Sequence, residues 1–379
     1  MTIKAYASSI AIAIIGVVVV GLILATERQW LVAASLLVAT ALSIVLPKTE
    51  AGRSFASVLN DSGSWVVLLI PLGGLLIGLA LHEEHFPLMM LASVLIYSLA
   101  CIGLTIQLGY AGVMNFAGAA FFGIGGYTAA ILGNWGVPSV LILLAGGAVS
   151  AAIGSVLILP VLRTKGYYAV LITIAFGLLF RNFLEVNETL GGPQGLKVEG
   201  AKIAGQSLLS GLQFGSFQAS FYFNYLVLGL VVFSIFFLLA RNLEKSWIGI
   251  NFDAVREDPI GASVFGINVA KCRVAAFVIG NFVIGVAGVL FAMMQNFIAP
   301  SNFTFSDSLI LISIIILGGL GNLWGILPAA ILVVVVPEKL QEIGEFRVLV
   351  FAVLVVLVLR FRPGGLFPRP LRQFKKEVE

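Results

Sequence analysis

Charge is scarce in this 379-residue chain: lysine and arginine number 22 and aspartate and glutamate 18, together 11% of the sequence. A soluble domain carries about 25% charged residues because water must wet its surface. So few charges cannot clothe a soluble fold of this length, which excludes a soluble enzyme and a disordered chain. Cysteine is almost missing too. Cys101 and Cys272 are the two present, far apart and outside any CxxC pattern, which excludes a disulfide scaffold and a thiolate metal centre. A Gly-x-x-x-x-Gly-Lys-[Ser/Thr] phosphate loop is absent, and Gly123-Ile-Gly-Gly126 lies in an apolar run with no strand before it. Carboxylates and histidines are missing from the interiors of the apolar runs, which speaks against a proton relay or a ring of charges in an ion channel. Arg181, near the end of one run, can snorkel to the interface.

What is present is hydrophobic. Apolar residues make up 60% of the chain, and the mean hydropathy is +1.08. A helix needs about 20 mainly apolar residues to cross a bilayer, and helices are the spans whose backbone is satisfied internally. Twelve segments qualify as candidates: Ala7–Ala25, Trp30–Leu46, Ser64–Leu81, Leu88–Leu108, Ala111–Gly133, Val137–Leu159, Tyr168–Leu184, Asn224–Ala240, Val274–Met294, Ser308–Gly325, Pro328–Leu340 and Phe346–Arg360. Pro328–Leu340 is short enough to be a half-span turning back with its predecessor. The fold class is therefore all-α, a polytopic membrane protein of about 10–12 segments with broken or half-spanning helices. Ala7–Ala25 outruns a signal-peptide core of about 7–15 residues and reads as a retained span.

The basic residues orient the chain. With both termini in the cytoplasm, 16 of the 22 lysines and arginines fall inside, while ten of the 18 acids fall outside. That is the positive-inside bias, and it accounts for the sequence pI of about 9.1 without nucleic acid. Three regions follow: an N-terminal extension of about three spans (1–87), a core (88–366) and a basic cytoplasmic tail (367–379). Within the core lie two long loops, an outer one at 185–223 and a cytoplasmic one at 241–273.

The cytoplasmic loop carries the clearest local signal. Asp258-Pro259 is a helix start, an acidic cap followed by proline at the first helical position, and Gly266 suits the left-handed stop. The spacing predicts a short helix, Pro259–Phe265, presenting Ile260, Ala262, Val264 and Phe265. Such a helix serves either as a docking element for a cytosolic partner or as a plain connector. Ala254-Val-Arg-Glu-Asp-Pro-Ile-Gly-Ala262, Gly266-Ile-Asn-Val269 and Lys271 resemble the coupling segment of the branched-chain amino acid ABC transporter permeases. Other ordered strings carry the same resemblance: Gly109-Tyr-Ala-Gly-Val-Met-Asn115, Arg163-Thr-Lys-Gly-Tyr-Tyr168, Gly191-Gly-Pro-Gln-Gly-Leu196, Leu317-Gly-Gly-Leu-Gly-Asn322 and Arg360-Phe-Arg-Pro-Gly-Gly-Leu366. The match covers about Leu88 to Leu366 and is nearer the M-type subunit than its H-type partner.

The resemblance implies a non-enzymatic permease subunit of an ATP-driven importer for branched-chain or other neutral amino acids in the bacterial inner membrane. Its implied partners are an H-type permease, two cytosolic ATPases that use ATP and magnesium, a periplasmic binding protein facing 185–223, and the surrounding lipid. The chain itself would bind no cofactor and no metal. The implied coupling residues are Asp253, Ala254, Arg256, Glu257, Asp258, Pro259, Gly261, Ala262, Gly266, Ile267 and Lys271. Urea and short-amide permeases belong to the same branch. Phe176-Gly177 is followed by Leu178 where a glutamate is expected in many relatives, which weakens any transfer of substrate. A passive neutral-solute channel fits the charge-free spans but has no need of the structured cytoplasmic loop.

For the pathway, Leu-Gly-x-x-Gly occurs from Leu108 and again from Leu317, in opposite halves, consistent with an internal inverted repeat. Gly109, Gly112, Gly318, Gly319 and Gly321 can break helices and expose backbone to a cavity, or simply pack helices closely. Gln107, Asn115, Asn281, Ser313 and Asn322 are the polar groups nearby. His82-Glu-Glu-His85 on a short outer loop reads as a solvated cluster rather than a metal site.

Overall fold

The computed structural model of the protein describes residues 16–24, 69–164, 167–203, 206–209, 213–214, 217–340, 344 and 346–369. The expected span Trp30–Leu46 lies outside the described residues, as do most of Ala7–Ala25, the start of Ser64–Leu81 and the tail beyond Arg369.

The remainder is overwhelmingly helical. Helix α1 is Leu69–Ala80 and α2 is His85–Leu104, which runs on into a π-helical turn, Thr105–Tyr110. Next come α3 (Gly118–Gly133), α4 (Ser139–Arg163), α5 (Tyr167–Val186) and α6 (Phe221–Lys245). Two short helices follow, α7 (Trp247–Glu257) and α8 (Pro259–Val264), and then the long α9 (Val269–Gln295). α10 is Phe305–Gly318. α11 (Ile326–Ala330), a π turn (Ile331–Val335) and α12 (Val336–Lys339) form one interrupted run, and α13 is Phe346–Phe361. Among the described residues, six helical runs are long and apolar enough to cross a membrane: those of α2, α4, α5, α6 and α9, and Pro300–Gly318.

α9 and α2 form the centre. α9 packs along α2, α3 and α4, and both central helices are buried around most of their circumference, whereas α5 turns most of its surface outward. Apolar side chains continue to the outside of α4 and α5, as a helix bathed in lipid requires. At the end of α9 remote from α8, Leu196–Lys197 pairs antiparallel with Phe297–Ile298 and fastens the outer loop to the bundle.

Three segments differ from their sequence reading. Ala111–Gly133 is not one span: its helix begins only at Gly118, and its 16 residues at about 1.5 Å each fall short of a bilayer. Ser308–Gly325 also breaks early, with α10 ending at Gly318 and a 3₁₀ turn at Leu323–Gly325 leading into α11, which folds back against α10. The cytoplasmic loop at 241–273 is mostly helix, because α6 continues to Lys245 and α7 and α8 fill the interval before α9.

Candidate functional site

α8 is built almost as its residues dictate. The Asp258 carboxylate accepts a hydrogen bond from the Ile260 amide at 3.0 Å, and Pro259 occupies the first turn, where no amide is needed. At the other end Gly266 has φ +80, its amide donates to the Ser263 carbonyl, and the Ile267 amide donates to the Ala262 carbonyl, both at 3.0 Å. That is a Schellman stop, and it places the helix end at Val264 rather than Phe265. Gly261 packs on the cap, since a Cβ there would lie 2.5 Å from the Asp258 carboxylate. Asn268 then caps α9 by accepting from the Lys271 amide at 3.0 Å. Ala262 is buried, whereas Ile260, Val264 and Phe265 are 77%, 80% and 87% exposed. Soluble surfaces seldom gather large apolar side chains so fully exposed on one short element without a partner to cover them.

α7 faces the other way. Its buried side chains, Phe252 and Val255, seat it on the bundle. The Ala254 carbonyl accepts the Asp258 amide at 3.1 Å and closes the corner between α7 and α8. Arg256 points inward: its guanidinium donates to the Gly109 carbonyl at the end of the π turn that follows α2, and its solvent side donates to Glu257. Asp253 is also turned inward and receives two hydrogen bonds from Arg369, at 2.7 and 3.1 Å. Of the residues expected to touch an ATPase, Asp253 binds Arg369 and Arg256 binds the Gly109 carbonyl, while Glu257, Asp258 and Lys271 stay at the surface.

The two glycine breaks meet at this point. A Cβ on Gly109 would stand 2.6 Å from the Gly321 Cα, so the backbones of the two halves touch there. Gly112 (φ +67) lies against the Arg256 side chain, and Gly321 (φ +82) against Arg369 and the Gly109 carbonyl. Their positive φ and lack of a side chain permit both the turn and the contact. Gly318 abuts Gly325, and Gly319 abuts the Phe367 backbone. The sequence reading left Gly109, Gly112, Gly318, Gly319 and Gly321 either lining a passage or packing helices closely. The structure gathers them into a joint beside α7.

Deeper in the bundle, Gln107, Asn115 and Asn281 form a buried amide cluster. Gln107 Nε2 donates to Asn281 Oδ1 at 2.9 Å and to the Phe277 carbonyl at 3.0 Å, and Asn115 Nδ2 donates to Gln107 Oε1 at 2.8 Å. Asn115 Oδ1 accepts the Ala117 amide at 2.9 Å, which steadies the non-helical stretch before α3. Asn281 Nδ2 has no hydrogen-bond partner among the described residues. The cluster ties α2, α9 and the break together in this conformation. Asn322 and Ser313 stand apart from it: Asn322 Oδ1 caps the turn at Trp324 at 3.0 Å, and Ser313 donates to the Leu309 carbonyl of its own helix at 2.7 Å. A wholly apolar groove of about 410 Å³ between α4, α6 and α9 includes none of these polar groups.

Sequence reasoning missed Glu244, Tyr110 and Arg369. Arg369 Nε reaches Glu244 at 3.2 Å, Glu244 accepts from the Tyr110 hydroxyl at 3.2 Å, and the Arg369 guanidinium lies 4.8 Å over the Tyr110 ring. Burial opposes charge on Arg369, yet Glu244 and Asp253 outweigh it and raise its pKa above the ordinary arginine value. Proximity in space, not spacing in sequence, joins these groups, although an arginine so close to a Pro-Gly-Gly-Leu motif was a signal open to reading. The two outer histidines do not converge. His82 Nδ1 meets the Leu79 carbonyl at 2.9 Å, and His85 Nδ1 meets the Ser220 hydroxyl at 2.6 Å.

Comparison with known proteins agrees with this architecture. Residues 86–359 match the family described as branched-chain amino acid transport system / permease component. The high-affinity branched-chain amino acid transport system permease protein LivM of Salmonella typhimurium is 34% identical over 301 residues, covering 74% of this chain and 70% of the relative. LivM of Escherichia coli is 33% identical over the same shares. The permease protein LivH of Salmonella typhimurium is 28% identical over 290 residues, covering 72% of this chain and 92% of that protein. No solved structure matches the chain.

Proposed function

The chain belongs to the branched-chain amino acid transport permease family, and on that premise we propose that it is one of two permease subunits of an ATP-driven importer of neutral amino acids in a bacterial inner membrane. Its relatives named LivM and LivH are the reason for a second permease beside it. Two cytosolic ATPases, which hold the ATP and magnesium, would seat under α8, and a periplasmic binding protein would meet the outer loop.

One observation carries the coupling role. The exposed apolar face of α8 is joined through α7, by Arg256, to the carbonyl of Gly109 where the two glycine breaks touch. A push on α8 therefore reaches the joint without passing through a flexible linker. The amides of Gln107, Asn115 and Asn281 would part as the joint opens, offering neutral hydrogen-bond donors and acceptors to an α-amino acid. A solute without net charge needs no buried ion in its path, which accords with the spans.

The test is uptake of labelled leucine and labelled urea by a strain lacking the gene, with and without the gene restored. Leucine uptake that is lost and rescued, with urea untouched, is the expected result. Loss of urea uptake alone would overturn the substrate while leaving the coupling device. Uptake that persists without ATP would overturn the importer reading.

A further inference from the structure

The segment after α13 crosses from the α10 break to the coupling helices. The Leu366 amide donates to the Leu317 carbonyl at 2.7 Å and the Phe367 amide to the Gly318 carbonyl at 3.0 Å. Those are carbonyls that the end of α10 would otherwise leave without partners. Gly365, with φ +81, allows this approach, because a Cβ there would sit 2.6 Å from the Gly319 Cα. Two residues past Phe367 the strap delivers Arg369. Its side chain is 10% exposed, and it forks onto Asp253 of α7 and onto Glu244 near the end of α6. Its Cδ lies 2.9 Å from where a Gly321 Cβ would be. One side chain thus touches the coupling helix, the end of a long membrane helix, the Tyr110 ring and a glycine of the joint.

We propose that Arg369 is a positioning residue for transport: the strap 362–369, through its bidentate bond to Asp253, makes the coupling helices and the Gly109–Gly321 joint move as one body. The inference rests on the importer reading above. Beside the packing of Phe252 and Val255, Arg256 alone would give α7 a single polar attachment to the joint, the Gly109 carbonyl. Arg369 adds a second attachment on the other half of the joint, so a displacement of α7 moves both breaks together. A strap that merely finished α10 would need only its backbone hydrogen bonds at Leu366 and Phe367. It would need neither a guanidinium nor two half-buried carboxylates, since a planar fork and its paired acids are costly to take out of water unless geometry is at stake. Lysine offers one point of charge where arginine offers a fork, so the two are not equivalent here.

The experiment uses the complete transporter, assembled with its permease, ATPase and binding-protein partners in proteoliposomes, with leucine uptake and ATP hydrolysis read on the same preparation. Arg369→Gln is expected to hydrolyse ATP within about twofold of the parent while the leucine carried per ATP falls about tenfold, a size typical of coupling between sites. Arg369→Lys is expected to fall between them. Asp253→Asn is expected to lower the ratio in the same direction, and the double variant to be no worse than Arg369→Gln, because the bond to Asp253 is already lost there. An unchanged ratio in Arg369→Gln would overturn the proposal, as would parallel loss of uptake, hydrolysis and assembled complex in both the Gln and Lys variants. A second readout does not depend on the solute. In the full chain in detergent, Arg369→Gln is expected to speed amide exchange at 109–112 and 319–322 while Leu366 and Phe367 stay protected, and unchanged exchange at the joint would equally overturn it. A parent complex that carries no leucine would refute the substrate reading instead and leave the exchange result to decide this one.

Discussion

At Gly288 there is no room for a methyl group. An added Cβ would overlap the Phe122 carbonyl across the α3–α9 contact, and backbone cannot step aside as a flexible side chain can. Gly288→Ala is therefore expected to destabilise the chain by about 1–3 kcal/mol, the usual cost of overpacking. The measurement is the melting midpoint in detergent. Gly177→Ala, whose Cβ would find its nearest neighbour 3.9 Å away, is the matched control and is expected to melt with the parent. The same scale explains what could be read beforehand. Gln107, Asn115 and Asn281 are conspicuous as amides in apolar surroundings. That they bond to one another is not legible, because 174 residues separate Gln107 from Asn281 and only the packing of α2 on α9 closes the gap. Gln107→Leu takes a donor from Asn281 Oδ1 and an acceptor from Asn115 Nδ2, leaving those two atoms only their own 3.2 Å bond, at about 1–3 kcal/mol for the buried pairing lost. We expect it to lower the melting midpoint and the uptake rate together, whereas a loss of uptake with an unchanged midpoint would mean that the cluster serves the solute and not the fold.

Among the elements, α8 was the most legible and the two broken helices the least. Capping is local chemistry: Asp258, Pro259 and Gly266 act on atoms within a few residues, so the start is readable directly and the end to within one residue. The breaks at 111–117 and 319–325 leave no such mark. A hydropathy pattern registers that Ala111–Gly133 is apolar, not that its first residues are held out of the helix by Arg256, brought against Gly112 from a distant element, and by Asn115 bonding the Ala117 amide. For α8 itself the expected consequence is specific. Phe265→Asp changes a side chain that is 87% exposed and therefore leaves melting unaltered. It is expected to cut the ATPase recovered with the purified permease by about tenfold, since an apolar anchor at an interface centre is worth about 1–3 kcal/mol or more. Full recovery of the ATPase would remove α8 from the docking surface.

For the whole molecule, the deciding quantity is which end faces the cytoplasm. α9 is 27 residues long, about 40 Å at 1.5 Å per residue, so Lys271 and the Phe297–Ile298 pairing lie on opposite sides of a bilayer. α7, α8, Arg256, Arg369 and the acids they bind belong to the Lys271 end, and the loop 185–223 is sewn to the other. Lysine and arginine counts predict that the Lys271 end lies inside, an expectation drawn from a whole-chain sum that uses no tertiary contact. The two native cysteines can test it without engineering. Cys272 is partly exposed at the start of α9, whereas Cys101 is fully buried with its thiol against the Leu311 carbonyl. A membrane-impermeant maleimide is expected to label Cys272 in inside-out vesicles and not in right-side-out ones, with Cys101 silent in both until the protein is unfolded. Labelling from the outer face would put α8 and its exposed Phe265 where no ATP is held. The importer reading could not survive that, whatever solute the chain carries.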